Sequence, residues 1–149
     1  MGALAPAVLV VDDDHADGDL LVRALRKCGF ENSVHVVRST DQAKAYLQGK
    51  EIFSDRHQYP LPALVILDHR MPESSGWEVL EWMRKKPGLK NLPVVVFSGS
   101  GTPADQTRAL ELGAVFETKP VRPEDYRTVV KRIGGFWLRP GLGAEHFED

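Results

Sequence analysis

The feature that most constrains this chain is a short apolar run that stops abruptly at a carboxylate. Residues 63–67 are apolar, and Asp68 follows them directly, ahead of a turn that contains Pro72. Such a run is typical of a strand that is buried on both faces of a parallel sheet. We therefore expect Asp68 at the carboxyl end of a central strand, which is where open α/β sheets carry their sites.

Apolar runs of this kind recur along the chain and alternate with segments of helical periodicity. The predicted strands are residues 8–11, 33–37, 63–67, 93–97 and 114–118. Five alternations of strand and helix indicate a parallel sheet that is covered by helices on both faces. Right-handed crossovers and five strands favour the order 2-1-3-4-5.

Local patterns add further expectations. Capping-box spacings at Ser39–Gln42 and Ser75–Glu78 predict the starts of two helices, and Pro103 fits the first turn of another. Residues 50–62 are expected to form a surface loop that is long for its position. The pair Gly134-Gly135 is expected to fray the last helix, at about 1 kcal/mol for each glycine relative to alanine.

Length, charge and cysteine content narrow the class of protein. With 149 residues we expect one domain, residues 1–138, followed by a short flexible tail, residues 139–149. The net charge of −2 gives no electrostatic reason for direct DNA binding. No apolar stretch reaches the ~20 residues of a membrane span, and no signal peptide is evident. Cys28 is the only cysteine, so a cytoplasmic location fits best.

The predicted strand ends bring a set of polar side chains together. In the order 2-1-3-4-5, the ends of the first, third, fourth and fifth strands carry Asp12, Asp13, Asp68, Ser98 and Lys119. Clustered carboxylates raise one another's pKa values, so a cation has to offset them. Mg²⁺ suits a site of few carboxylates, and a lysine and a hydroxyl add groups that bind phosphate. Such a site favours phosphoryl transfer, with Asp68 as the nucleophile that forms an aspartyl phosphate.

These residues resemble the receiver domain of two-component response regulators, over residues 7–137 of the chain. The matching motifs are Asp12-Asp13 after the first strand, Asp68 ahead of Met71-Pro72 and Gly76, Ser98 after the fourth strand, and Lys119-Pro120 after the fifth. The resemblance implies a flavodoxin-like, three-layer sandwich. It also implies that the protein is not an enzyme beyond its own Mg²⁺-dependent phosphorylation and dephosphorylation.

The resemblance implies how a phosphoryl group and a metal are bound. Asp68 accepts the phosphoryl group from a histidine kinase. Asp13 and Asp68 bind Mg²⁺ directly, together with the backbone carbonyl of Arg70, whereas Asp12 acts largely through a metal-bound water. Lys119 contacts the phosphoryl oxygens.

The resemblance also implies a switch. Ser98 contacts the phosphoryl group, and Phe116 takes the place of the aromatic residue that rotates with it, here without a phenol hydroxyl. Arg70 and Ser100 stand at positions that tune dephosphorylation. Three simpler interpretations stay open, in which Phe116 is plain core, Arg70 is only solvated, and His69 is structural or exposed.

Partners follow from the same resemblance. No recognisable output domain follows the last helix, so we expect a single-domain regulator that acts through a downstream protein or passes phosphate to a phosphotransfer protein. A narrower resemblance is to the small regulators that accompany bacterial phytochromes, on the basis of residues 50–62 and the ending Gly134–Leu138. Those relatives often form homodimers through the last-helix face, where Phe136, Trp137 and Leu138 of this chain offer apolar side chains.

Three other functions remain open from the sequence. Asp12 and Asp14 form the D-x-D of a haloacid-dehalogenase-type phosphohydrolase, but Ala16 stands where that family has Thr or Val. A flavodoxin-like FMN domain is disfavoured, because three carboxylates after the first strand would repel a phosphate. A receiver fold that acts as an unphosphorylated scaffold is the third, and the intact site argues against it.

Overall fold

Five parallel strands form one sheet whose order is that predicted from the sequence. The computed structural model describes residues 7–71, 74–99 and 101–138. The strands are β1 (Val8–Val11), β2 (Val34–Val37), β3 (Leu64–Leu67), β4 (Val94–Ser98) and β5 (Val115–Thr118). Their order is β2-β1-β3-β4-β5, with every neighbouring pair parallel. This confirms the flavodoxin-like sandwich, while the expected tail, residues 139–149, lies outside the described residues.

Helices cover both faces of the sheet and form two buried clusters with it. The helices are α1 (His15–Lys27), α2 (Thr40–Gln48), α3 (Gly76–Arg84), α4 (Pro103–Glu111) and α5 (Tyr126–Trp137). Because side chains alternate along a strand, β1 sends Leu9 and Val11 to the cluster with α2, α3 and α4. Val8 and Val10 join the cluster with α1 and α5.

The hydrogen bonds at the helix starts confirm the predicted capping only in part. Asp14 caps α1 by accepting a hydrogen bond from the Asp17 N–H at 3.1 Å. The two capping boxes predicted for α2 and α3 are half formed, because the serine caps each helix without the reciprocal bond. The Gln42 side chain accepts instead from the Arg38 N–H, and Glu78 pairs with Lys44 at 2.9 Å. A complete box occurs at Thr102 and Asp105, at the start of α4.

The long connection over residues 50–62 is mostly exposed, as expected of a surface loop, and it is anchored to the core by Phe53. It contains a 3-10 turn (Glu51–Phe53), and Phe53 is buried between Tyr46 and Tyr59 at ring distances of 5.1 and 5.2 Å. The Arg56 guanidinium donates to the carbonyls of Tyr46 and Leu47. The Leu47 carbonyl at the end of α2 thus gains a side-chain donor, while the Tyr46 carbonyl also accepts from the Gly49 N–H at 3.0 Å, so Arg56 fastens the loop to the end of the helix.

The last helix continues through both glycines, so the prediction that they fray it is wrong. Gly134 is buried under the ring of Phe30, and a Cβ at this position would overlap that ring. Beyond α5, the carbonyl of Leu138 accepts a hydrogen bond from the Asn32 amide at 3.2 Å. Leu138 is fully buried, so it belongs to the core and not to the contact surface expected from the sequence, whereas Phe136 is exposed.

The two glycines of α5 should respond in opposite ways to alanine. Gly135→Ala should raise the free energy of unfolding by up to about 1 kcal/mol, because alanine favours the helix and, apart from its chain neighbours and the helix backbone, no atom of the described residues lies within 4 Å of the added Cβ. Gly134→Ala should lower it by about 1 kcal/mol, because the ring of Phe30 has to move. Urea unfolding followed by circular dichroism measures both, and equal stabilisation by the two variants would contradict this packing.

Candidate functional site

Backbone hydrogen bonds carry the sheet one residue past its strands and thereby align the polar side chains. The Asp12 N–H donates to the carbonyl of Val37 at 3.0 Å, and the Asp68 N–H donates to that of Val11 at 2.9 Å. The Lys119 N–H donates to the carbonyl of Ser98 at 2.8 Å. Asp12, Asp68 and Lys119 therefore lie at one edge of the sheet, as the strand order predicts.

The ammonium of Lys119 lies at the centre of this edge and binds three carboxylates. Its Nζ donates to Oδ2 of Asp12 at 2.7 Å, of Asp17 at 2.8 Å and of Asp68 at 2.9 Å. The side chains of Lys119, Asp12 and Asp68 are 7%, 6% and 9% exposed, so these ion pairs are shielded from water. Sequence reasoning missed Asp17, which reaches the site from the first turn of α1.

Burial and hydrogen bonds shift the pKa values of Lys119 and Asp12. Burial works against the charge of Lys119, but hydrogen bonds to Asp12, Asp17 and Asp68 outweigh it, so the pKa of the ammonium is held above its usual range. Burial raises the pKa of the Asp12 carboxyl, although Lys119 and the Asp14 N–H oppose that rise. The lysine therefore stays charged, whereas burial works against the ionised form of the Asp12 carboxyl.

An acidic cluster next to the lysine is suited to a divalent cation. Asp12, Asp13 and Asp68 each offer one carboxylate oxygen, and these oxygens lie within 4.8 Å of one another. Oδ1 of Asp12 accepts from the Asp14 N–H, and Oδ1 of Asp68 accepts from the Arg70 N–H, both at 2.9 Å. Fixed carboxylate oxygens at such separations are a donor set that Mg²⁺ and Mn²⁺ accept.

The remaining predicted residues surround the cluster. Ser98 is buried at the end of β4, in register with Thr118 of β5. Phe116 is half-buried on β5, and its ring lies so close to Gly101 that a Cβ there would overlap it. The Arg70 side chain is exposed. Ser100 lies outside the described residues.

Two residues that sequence reasoning did not place in the site shape the loop after β3. His69 is 7% exposed, which excludes the exposed interpretation. Burial lowers the pKa of its imidazole, against the charges of Asp105 and Asp68. Gly76 begins α3 where a Cβ would overlap the carbonyl oxygen of Asp68, so a glycine is needed there. The spacing of Gly76 from Asp68 was visible in the sequence, but its steric reason was not.

Known proteins identify the family. The model of the response regulator receiver domain matches residues 8–131, and the chain belongs to this family. Among curated proteins, the two-component response regulator ORR11 of rice (Oryza sativa subsp. indica) is 34% identical over 135 residues, which cover 89% of this chain and 83% of ORR11. Response regulator Rcp1 of Synechocystis sp. is 31% identical over 132 residues, covering 88% of each chain.

Solved structures of response regulators agree with this family assignment. The Mn²⁺-bound form of Rcp1 superposes with a TM-score of 0.80 at 29% identity, over 93% of this chain and 97% of Rcp1. The phosphorylated cyanobacterial phytochrome response regulator RcpA superposes with a TM-score of 0.81 at 31% identity, over 91% and 94%. The chain is thus similar over most of its length to response regulators of phytochromes.

Among the helices of the described residues, none combines the length and the apolarity required to span a membrane.

Replacing the central lysine should expose the charge conflict that it offsets. Lys119→Met leaves Asp12 and Asp68 buried without their cation, so we expect the free energy of unfolding at pH 7 to fall by about 3 kcal/mol. Lys85→Met, which removes an exposed charge, should change it by less than about 0.5 kcal/mol. Urea unfolding in metal-free buffer compares them, and losses of equal size would show that Lys119 does not offset the carboxylates.

Proposed function

We propose that this chain is a response regulator in which Asp68 accepts a phosphoryl group from a histidine kinase in a two-component phosphorelay. The observation that carries the proposal is the position of Lys119 Nζ, 2.9 Å from Oδ2 of Asp68, beside the three clustered carboxylates. A nucleophilic carboxylate, a fixed cation and a metal-binding donor set are the groups that phosphoryl transfer requires, since it depends mainly on positioning and charge neutralisation.

Each residue has a proposed part in the reaction. A carboxylate oxygen of Asp68 attacks the phosphorus, forming the O–P bond as the P–N bond to the kinase histidine breaks. Lys119 then donates a hydrogen bond to one phosphoryl oxygen, and the Ser98 hydroxyl donates a hydrogen bond to another. Mg²⁺, held by Asp12, Asp13, Asp68 and the backbone carbonyl of Arg70, would neutralise charge on the phosphoryl oxygens. The Mn²⁺-bound structure of Rcp1 supports a divalent cation in this family.

The proposed output is a change of shape at the α4–β5–α5 face. Phosphorylation adds about −1.5 to −2 charges, which draw Lys119 and Ser98 towards Asp68. Phe116 then moves with Ser98, because Ser98 ends β4 and Phe116 lies on the neighbouring strand β5. Arg70, whose side chain is exposed, is proposed to tune dephosphorylation, and the same role is proposed for Ser100 on the family resemblance alone.

The proposed partners follow from the relatives. RcpA is a cyanobacterial phytochrome response regulator, so we infer that a histidine kinase of the bacteriophytochrome type phosphorylates this chain in the cytoplasm. The signal then passes by contact to a downstream protein or a phosphotransfer protein. A homodimer through the last-helix face is supported by Phe136, an apolar residue that is 60% exposed.

Asp14 disfavours the phosphohydrolase alternative. In a D-x-D site the second Asp has to face the substrate, whereas the Asp14 carboxylate accepts from the Asp17 N–H and caps α1. Asp14 is also exposed, unlike Asp12. The residue that would supply the acid therefore has a different role.

The test of this function is intact-mass spectrometry after incubation with acetyl phosphate. We expect wild type to gain one phosphoryl adduct with Mg²⁺ and none with EDTA. Asp68→Asn should gain none, because the nucleophile is lost, whereas the control Asp41→Asn, at an exposed position of α2, should behave as wild type. An adduct that persists in Asp68→Asn would contradict the assignment of Asp68.

Further outcomes distinguish the alternatives. No adduct from acetyl phosphate or from a phosphorylated histidine kinase would favour the scaffold function. Catalytic release of phosphate from p-nitrophenyl phosphate, with many turnovers for each molecule of protein, would favour a phosphohydrolase.

A further inference from the structure

We propose that His69 is a positioning residue that couples the phosphorylation site to the first turn of α4 and to Phe116. Its contact with Asp105 holds α4 in the position that the structure shows. The proposal rests on the proposed function of Asp68, and it assigns the regulation of that site to a residue for which the sequence indicated no role.

The surroundings of His69 place it between four parts of the protein. It follows Asp68 directly, and its carbonyl accepts from the Gly76 N–H at 3.1 Å, at the start of α3. Its ring lies 5.3 Å from Trp77 of α3 and 5.9 Å from Phe116 of β5. Its Nε2 lies 3.6 Å from Oδ2 of Asp105 on α4. A movement of α4 or of Phe116 therefore has to change a contact of His69.

Packing alone does not account for a histidine at this position. Among the described residues, the buried Nδ1 of His69 has no hydrogen-bond partner, which is unfavourable in a protein interior. A phenylalanine would fill similar space between Trp77 and Phe116 without burying an unsatisfied nitrogen. The nitrogen that does face a charged group is Nε2, so the contact with Asp105 is what distinguishes histidine from an apolar residue here.

Asp105 belongs to the structure that begins α4. Its Oδ2 accepts from the Thr102 N–H at 3.0 Å, while its own N–H donates to the Thr102 hydroxyl at 3.1 Å. The oxygen that faces His69 thus also closes the capping box. Farther along α4, Arg108 stacks over Trp77 at 4.9 Å and pairs with Glu81 at 2.7 Å. Helix α4 therefore contacts the residue next to Asp68 through Asp105, and it contacts α3 through Arg108.

Phe116 completes the arrangement. Its ring contacts Gly101, which precedes the capping box, and lies 5.9 Å from the ring of His69. The ring cannot turn without changing its contact with the loop ahead of α4 or with the residue next to Asp68. This geometry gives phosphorylation at Asp68 a direct route to the α4–β5 face.

Population shift sets the direction of the effect. If acetyl phosphate reacts only with the minor population in which α4 has left this position, weakening the contacts that hold α4 here raises that population and the rate of phosphorylation in the same proportion. Removing the contact between His69 and Asp105 should therefore loosen the first turn of α4 and speed the reaction with acetyl phosphate.

Two variants and their combination test the coupling. Asp105→Asn keeps an oxygen for the Thr102 N–H but removes the charge that faces His69, and His69→Phe keeps a ring but removes Nε2. Each should raise hydrogen exchange at residues 101–107 of the unphosphorylated protein about fivefold, and the phosphorylation rate by a similar factor, because both depend on the population in which α4 has left this position. The double variant should resemble either single variant, because both remove the same contact.

The matched control is Glu111→Gln, which removes an exposed carboxylate from the last turn of α4. It should leave both measurements at the wild-type value. Effects that add in the double variant, or Asp105→Asn with wild-type exchange and rate, would overturn the coupling. Hydrogen exchange is measured without phosphorylation, so this proposal can fail while Asp68 still gains its adduct, and a missing adduct in wild type would count against the proposed function separately.

Discussion

The ion pairs between Lys119 and its carboxylates are the interaction on which the site depends. Parallel strands with the order β2-β1-β3-β4-β5 deliver Asp12, Asp68 and Lys119 to the same sheet edge, where burial would otherwise penalise each charge. The lysine offsets part of the negative charge, and beside it lies an acidic cluster whose oxygens suit a divalent cation. Stability and proposed chemistry thus share one side chain.

The parts of the fold that depend on strand order could be predicted from the sequence. Apolar runs with charged ends specify both a buried strand and the location of its last residue, so Asp12, Asp68 and Lys119 were placed together correctly. Strand bounds moved by only a residue, for example from 63–67 to Leu64–Leu67. The roles of these residues in phosphoryl transfer stay predictions until chemistry tests them.

Features that arise from packing between distant segments could not be predicted. Asp17 reaches Lys119 from α1 at 2.8 Å, and local sequence marks it only as a first-turn acid. His69 is buried because α3, α4 and β5 close around it, and Phe30 covers Gly134 from the end of α1. Each of these contacts joins different segments of the chain, and the local sequence around one residue does not predict the position of the other.

The central claim is that Asp68, and no other carboxylate of the cluster, forms the aspartyl phosphate. Borohydride reduction of the phosphorylated protein converts an acyl phosphate to an alcohol, and tandem mass spectrometry of the digest then locates homoserine. We predict homoserine at position 68 only. Homoserine at Asp12, Asp13 or Asp17 would contradict the account, because the nucleophile would then be a carboxylate that we assign to the metal or to Lys119.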